Sequence, residues 1–123
     1  VGSEMCIRDR SDKVIAASDF VLLHGNGVWK PERITLQVDS VRKSPAYTPK
    51  PVVYNEDDHF KFDEEVNNFV KATEAYASWG YFDFRKKDEP YEQGFQCIPA
   101  DWGLNSERKK GFFRLLTEWK NAK

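Results

Sequence analysis

The sequence predicts an α/β fold, made of the C-terminal three β/α units (strands six to eight) of an incomplete (β/α)8 barrel. Three short apolar runs alternate along the chain with segments of helical periodicity. Apolar runs without internal alternation are typical of parallel strands that helices cover. Three units are too few to close a barrel. A flavodoxin-like sheet fits less well, because no Gly-rich phosphate turn follows any of the runs.

The first predicted unit starts with a buried strand over residues 20–23. Its polar turn at residues 24–27 contains two glycines, which permit positive φ angles. Pro31 suits the first turn of a helix that is predicted to continue to about residue 43. The apolar stripe of this helix consists of Ile34, Val38 and Val41.

The second and third predicted units follow the same order. A strand at residues 52–54 precedes a helix over about residues 64–77, whose predicted apolar face is Val66, Phe69, Val70, Thr73, Tyr76 and Ala77. An aromatic strand at residues 79–84 leads into a loop over residues 85–105, and loops of that length are usually functional or disordered. Ser106 can cap a last helix with the stripe Phe112, Leu115, Leu116 and Trp119.

Residues 11–123 are predicted to form a single partial barrel domain. Residues 1–10 show no periodicity and resemble the adapter-derived peptide found at the ends of translated environmental sequence reads. We therefore expect them to be non-native, and we expect the natural protein to continue upstream. Cys6 lies in this peptide, which leaves Cys97 alone, so neither a disulfide framework nor a paired-cysteine metal motif is predicted.

The composition indicates which classes of binding partner are not expected. The 19 Lys and Arg residues against 20 Asp and Glu residues give a formal charge of −1, which argues against a nucleic-acid partner. No apolar run approaches the roughly 20 residues of a membrane-spanning helix, so no membrane partner is predicted. No cofactor is predicted, and the oligomeric state is left open.

The segment at residues 50–60 carries the densest polar cluster, because a buried strand ends there in Asn55, Glu56, Asp57, Asp58 and His59. Strand side chains alternate, so Glu56 is expected on the face of Val52 and Tyr54. By the same parity His24 and Asp83 end their strands on the same side, and all three groups are expected to converge at the carboxyl rim, where such folds bind ligands. The simpler alternative is that each group ends its strand in solvent.

Residues 50–56, Lys-Pro-Val-Val-Tyr-Asn-Glu, resemble the seventh strand of retaining glycoside hydrolases of the clan A type. Together with residues 77–85 and 102–109 they also resemble uncharacterised bacterial proteins related to those hydrolases, over about residues 18–119. The resemblance implies hydrolysis of an oligo- or polysaccharide with Glu56 as the nucleophile, His24 as its neighbour and Trp102 as a sugar platform. The full predicted substrate-binding set is His24, Asn26, Asn55, His59, Asp83 and Trp102.

A retaining glycosidase needs a second carboxyl group about 5 to 5.5 Å from the first. In the clan A pattern that acid/base ends the fourth strand, which would lie upstream of this chain. We therefore expect the 123-residue polypeptide alone to be inactive.

Two other functions remain open from the sequence. The cluster from Glu56 to His59, with His24, offers ligands for a metal-dependent barrel hydrolase, but consecutive side chains on an extended strand diverge, so no metal site is predicted. A non-catalytic carbohydrate-binding barrel would keep the same rim without a working carboxylate pair.

Overall fold

The computed structural model describes residues 7–83, 85–90, 103–104 and 106–121, with side chains from residue 12 onward. Within these residues the chain forms a small α/β fold of three strands and four helices. In chain order the elements are α1 (Ile7–Ala17), β1 (Val21–His24), α2 (Glu32–Arg42), β2 (Val52–Asp57), α3 (Asn68–Glu74), β3 (Ser78–Tyr81) and α4 (Glu107–Asn121).

The three strands form one parallel sheet in the order β1-β2-β3. Val21 pairs with Val52, and Val53 pairs with Ser78, so all three strands start at the same edge. Because the strands are parallel, their carboxyl ends also share one edge. The loops after β1 and β2 therefore lie next to each other there.

The core lies between the sheet and the helices. Val52 and Tyr54 of β2 are buried together with Ile34 and Val38 of α2, and the Tyr54 hydroxyl reaches the Ile34 carbonyl at 2.9 Å. Ile15 of α1 belongs to the same core. Burial of these aliphatic side chains is the main favourable contribution to folding.

The prediction of three β/α units from an incomplete barrel is wrong. In a barrel, the face of β2 that carries Val52 and Tyr54 would line the interior, whereas here it packs on α2. On β1 the side chains that share this face are Val21 and Leu23, which belong to the same core, whereas Phe20 and Leu22, the residues predicted to face inward, are each 50% exposed. The helix α1, which the prediction did not include, precedes the first strand. Apolar runs predict the order of strands and helices, but they do not predict how a sheet curves or which helices cover it.

The individual elements agree with the sequence to different degrees. The α2 stripe is confirmed, because all three of its predicted apolar residues are buried. The predicted cap of the last helix is confirmed too, since Ser106 Oγ accepts a hydrogen bond from the Lys109 amide at 3.1 Å. The middle helix is shorter than predicted: Asn67 caps it by accepting from the Val70 amide, so α3 begins at Asn68 and Val66 is exposed.

A bulge in β2 changes which side chains face the core. From Tyr54 to Asp57 β2 advances three residues, whereas β3 advances two between their partners Trp79 and Tyr81. The extra residue shifts the alternation, so Asp57 is buried and Glu56 is not. The prediction that Glu56 shares the face of Tyr54 is therefore wrong.

The helices are short. The longest one, α4, has 15 residues and carries charged side chains along its whole length. Among the residues that the structure describes, no helix has the length and apolar character needed to cross a membrane.

Candidate functional site

His24 and Glu56 form a pair at the carboxyl edge of the sheet. They are register partners at the ends of β1 and β2, and His24 Nδ1 lies 2.9 Å from Glu56 Oε1. The side chains are 59% and 31% exposed, so solvent or a ligand can reach both. The predicted proximity of these two residues is thus present. In the tautomer that carries its proton on Nδ1, His24 donates a hydrogen bond to this carboxylate and orients it.

Two hydrogen bonds donated by backbone amides fix the turn after β1 against the end of β2. The Gly25 amide donates to the Glu56 carbonyl at 3.0 Å, and the Gly27 amide donates to Asp58 Oδ1 at 2.8 Å. Gly27 has a φ of 76°, which an L side chain adopts only with strain. The pair of His24 and Glu56 is therefore held by its backbone as well as by its own contact.

Asp57 is a buried hub beneath this edge. Its carboxylate accepts hydrogen bonds from the His59 amide, from Asn68 Nδ2 and from Trp79 Nε1, each at 2.9 Å. Burial raises the pKa of Asp57, although these hydrogen bonds oppose the rise. Gly25 lies so close that a Cβ there would overlap the carboxylate. Asp57 thus connects β2, β3, α3 and the turn after β1.

His59 lies under the surface of the site. Its side chain is buried, with only 1% of its surface exposed. Burial lowers the pKa of His59, while the nearby carboxylates of Asp57 and Glu64 act in the opposite direction. Its ring centre is 6.3 Å from that of Trp29. As a predicted substrate-binding residue, His59 is therefore placed behind the exposed groups.

Asp83 has a different environment from the one predicted. It follows the end of β3, is buried, and accepts a hydrogen bond from Arg108 Nε at 2.9 Å. Ser106 lies at 3.3 Å, and Arg108 also pairs with Glu89. These contacts hold the start of α4 against the sheet, so Asp83 serves the fold.

The remaining predicted residues differ in position. Asn26 and Asn55 are exposed, in the turn after β1 and within β2. Trp102 lies outside the described residues.

An aromatic patch that the sequence prediction missed lies in the loops that follow the three strands. We call Trp29, Phe60 and Lys86 the rim patch. Trp29 is 52% exposed and meets Phe60 edge to face at 5.9 Å between ring centres. Lys86 Nζ lies 3.3 Å from the centre of the Phe60 ring. The sequence signal was a single tryptophan that follows the glycine turn after the first strand.

The described residues offer little to a metal ion. No group of three His, Cys, Asp or Glu side chains in this part of the chain has an arrangement that could hold one. In the predicted cluster Asp57 is buried under its three donors, while Asp58 accepts from the Gly27 amide. The two carboxylates thus have different partners.

Comparison with known proteins gave no relative: no family model, curated protein or solved structure matches this chain.

Proposed function

We propose that Glu56 is the nucleophile of a retaining glycosidase site, oriented by His24, and that this chain supplies one of the two catalytic carboxyl groups. The observation that carries the proposal is the 2.9 Å contact of His24 Nδ1 with Glu56 Oε1 at the carboxyl edge of a parallel sheet. That edge is where open α/β sheets bind ligands. The carbohydrate substrate follows from the resemblance of residues 50–56 to a glycosidase strand.

The chemistry requires an ionised, accessible carboxylate. In the first step a Glu56 oxygen forms a bond to the anomeric carbon while the bond from that carbon to the leaving oxygen breaks, and an acid protonates the leaving oxygen. The contact with His24 Nδ1 limits the rotation of the Glu56 carboxylate. Partial exposure of Glu56 leaves room for the sugar.

The acid/base of such a site is a second carboxyl group. Asp57 does not suit the role, because it is buried and its oxygens already accept three hydrogen bonds. Asp83 is buried as well and is paired with Arg108. The chain alone is accordingly expected not to hydrolyse ordinary glycosides.

The nucleophile can be tested without the acid. Fluoride leaves without a proton, so a 2-deoxy-2-fluoroglycosyl fluoride can react with a nucleophile whose acid partner is missing, and the fluorine at C2 slows release of the adduct. We expect the purified chain, incubated with the gluco, galacto, manno and xylo reagents in turn, to gain the mass of one fluorosugar with at least one of them. Peptide mapping should place that mass on Glu56.

Two variants serve as controls. Glu56→Gln should abolish labelling, whereas Glu64→Gln, which changes an exposed carboxylate paired with Lys61, should leave it unchanged. His24→Ala should slow labelling, because the carboxylate loses its orienting donor. The absence of an adduct with all four reagents, or labelling that survives Glu56→Gln, would contradict the proposal.

A further inference from the structure

We infer that Trp29 is a sugar-stacking platform, and that the rim patch of Trp29, Phe60 and Lys86 binds a neutral sugar ring beside Glu56. This inference rests on the proposed function and names the substrate class of the same site. It assigns the stacking role within the described residues to Trp29, a residue outside the predicted substrate-binding set.

Trp29 combines exposure with a fixed position. Half of its side chain is exposed, while contacts with Phe60 and His59 hold the rest of the ring. The preceding residue is anchored as well, because the Val28 carbonyl accepts a hydrogen bond from the buried Asn68 amide at 2.9 Å. A large aromatic surface that is already ordered loses little conformational entropy when a ligand binds. The electron-rich face of an indole attracts the polarised C–H groups of a sugar ring.

Lys86 supplies the polar part of the patch. Its Nζ lies over the Phe60 ring and 5.8 Å from the centre of the Trp29 ring. Within the described part of the chain, no carboxylate forms an ion pair with this ammonium group. An ammonium group has three N–H donors, and sugar hydroxyl oxygens are suitable acceptors. The patch therefore offers an apolar face and a hydrogen-bond donor side by side.

The surrounding charge favours a neutral ligand. The ammonium group of Lys86 interacts electrostatically with the guanidinium of Arg108 and with the carboxylates of Asp58, Asp83 and Glu89. Arg85 also lies here, because its Nη1 donates to the Glu89 carbonyl, so the three carboxylates are balanced by three cations. An anionic sugar would gain little from such a field, whereas a neutral sugar is not repelled.

The position of the patch relates it to Glu56. Trp29 lies in the loop after β1, and Phe60 lies in the loop after β2, so both follow the carboxyl ends of the strands that carry His24 and Glu56. The Gly25 amide donates to the Glu56 carbonyl within β2, and the Gly27 amide donates to Asp58 in the loop after β2. A sugar next to the one attacked by Glu56 is placed to stack on Trp29.

The test is a binding titration of the whole chain, followed by backbone amide NMR shifts, with cellohexaose, xylohexaose, mannohexaose and an oligogalacturonate. We expect at least one neutral oligosaccharide to bind and to shift the amides around residues 26–30 and 58–60. Trp29→Ala should weaken that binding about tenfold. Trp29→Phe should recover part of the loss, and Lys86→Met should weaken binding less than Trp29→Ala.

Tyr76→Ala is the matched control. Tyr76 is an exposed aromatic residue just before β3, at the amino edge of the sheet, so its loss should leave oligosaccharide binding unchanged. Binding by Trp29→Ala equal to that of the wild type would overturn the inference. Absence of binding by all three neutral oligosaccharides would overturn it too, as would tighter binding of the oligogalacturonate.

The covalent test of Glu56 and this binding test can fail separately. The fluorosugar is a monosaccharide that occupies only the site next to Glu56, so the Trp29→Ala variant should still be labelled. The Glu56→Gln variant should still bind oligosaccharide. Oligosaccharide binding that depends on Trp29, without labelling of Glu56, would refute the nucleophile and support the platform. Labelling of Glu56 together with oligosaccharide binding that Trp29→Ala does not change would support the nucleophile and refute the platform.

Discussion

Trp79 Nε1 donates a hydrogen bond of 2.9 Å to Asp57 Oδ2, and this contact ties β3 to the end of β2 beneath the candidate site. It exists because the bulge in β2 turns Asp57 toward the core. Glu56, one residue earlier, is left accessible next to His24. Two adjacent carboxylates thereby have separate roles, one in the fold and one at the surface.

Replacing Asp57 should reveal this structural role. Asp57→Ala leaves the three hydrogen-bond donors at Asp57 without their acceptor in a buried place. We expect a loss of about 3 kcal/mol in the free energy of unfolding, measured by urea denaturation. Asp63→Ala, at an exposed carboxylate nearby in the sequence, should change it by less than about 0.5 kcal/mol. Equal stability of the two variants would contradict the assigned role.

Gly25 should tolerate no side chain while Asp57 is present. A Cβ at Gly25 would overlap the carboxylate, which cannot move without breaking its hydrogen bonds, so Gly25→Ala should cost about 2 kcal/mol. In the Asp57→Ala background the same substitution should cost much less, and a double-mutant cycle measures the difference. Gly27→Ala has free space and only the strain of positive φ, about 1 kcal/mol, which should not depend on Asp57. Additive effects of Gly25→Ala and Asp57→Ala would argue against the contact.

His59 should make stability depend on pH. Because burial lowers its pKa in the folded state, the folded protein binds this proton less readily than the unfolded chain. Stability should therefore be complete above the ordinary histidine value of 6.5 and should fall as the pH drops below it toward the folded pKa. Urea denaturation at several pH values should show this slope in the wild type and a smaller one in His59→Leu.

The contribution of buried Asp57 to stability changes with pH in the opposite direction, because its pKa is raised in the folded state. Its contribution is present at low pH and declines as the pH rises through and above the ordinary value of 3.8. Both proteins in the comparison retain Asp57, so the difference between them isolates His59. NMR titration of the His59 ring should give a midpoint below 6.5, and a midpoint at or above that value would refute the prediction.

The protein should need Arg108 for stability, because Arg108 is the cation paired with the buried carboxylate of Asp83. Arg108→Met leaves that carboxylate without its cation, and we expect a loss of about 3 kcal/mol in the free energy of unfolding. Adding Asp83→Asn should recover part of the loss, because the buried charge is removed. Lys110→Met, which breaks the exposed pair with Glu107 on the same helix, should cost less than about 1 kcal/mol. A similar small cost for Arg108→Met would contradict the prediction.

Sequence patterns were sufficient where one local interaction decides the structure. The helical spacing of Ile34, Val38 and Val41 predicted the buried stripe of α2, and Ser106 predicted the cap of α4. The pattern failed at α3, where the buried residues include Asn67 and Asn68. The side-chain amide of Asn68 has partners that are distant in sequence, the Val28 carbonyl and the Asp57 carboxylate. A periodicity of apolar residues cannot contain that information.

The sequence by itself determined an α/β chain with three parallel strands and a polar carboxyl edge that includes His24 and Glu56, because side-chain type and spacing set local structure. Only the tertiary structure decided that the sheet packs on helices instead of continuing a barrel. It also decided that Asp57 and not Glu56 turns inward, and that Trp29 is exposed beside Phe60 and Lys86. The reason is physical: a bulge, a helix position and a ring contact each depend on residues that meet only after the chain has folded.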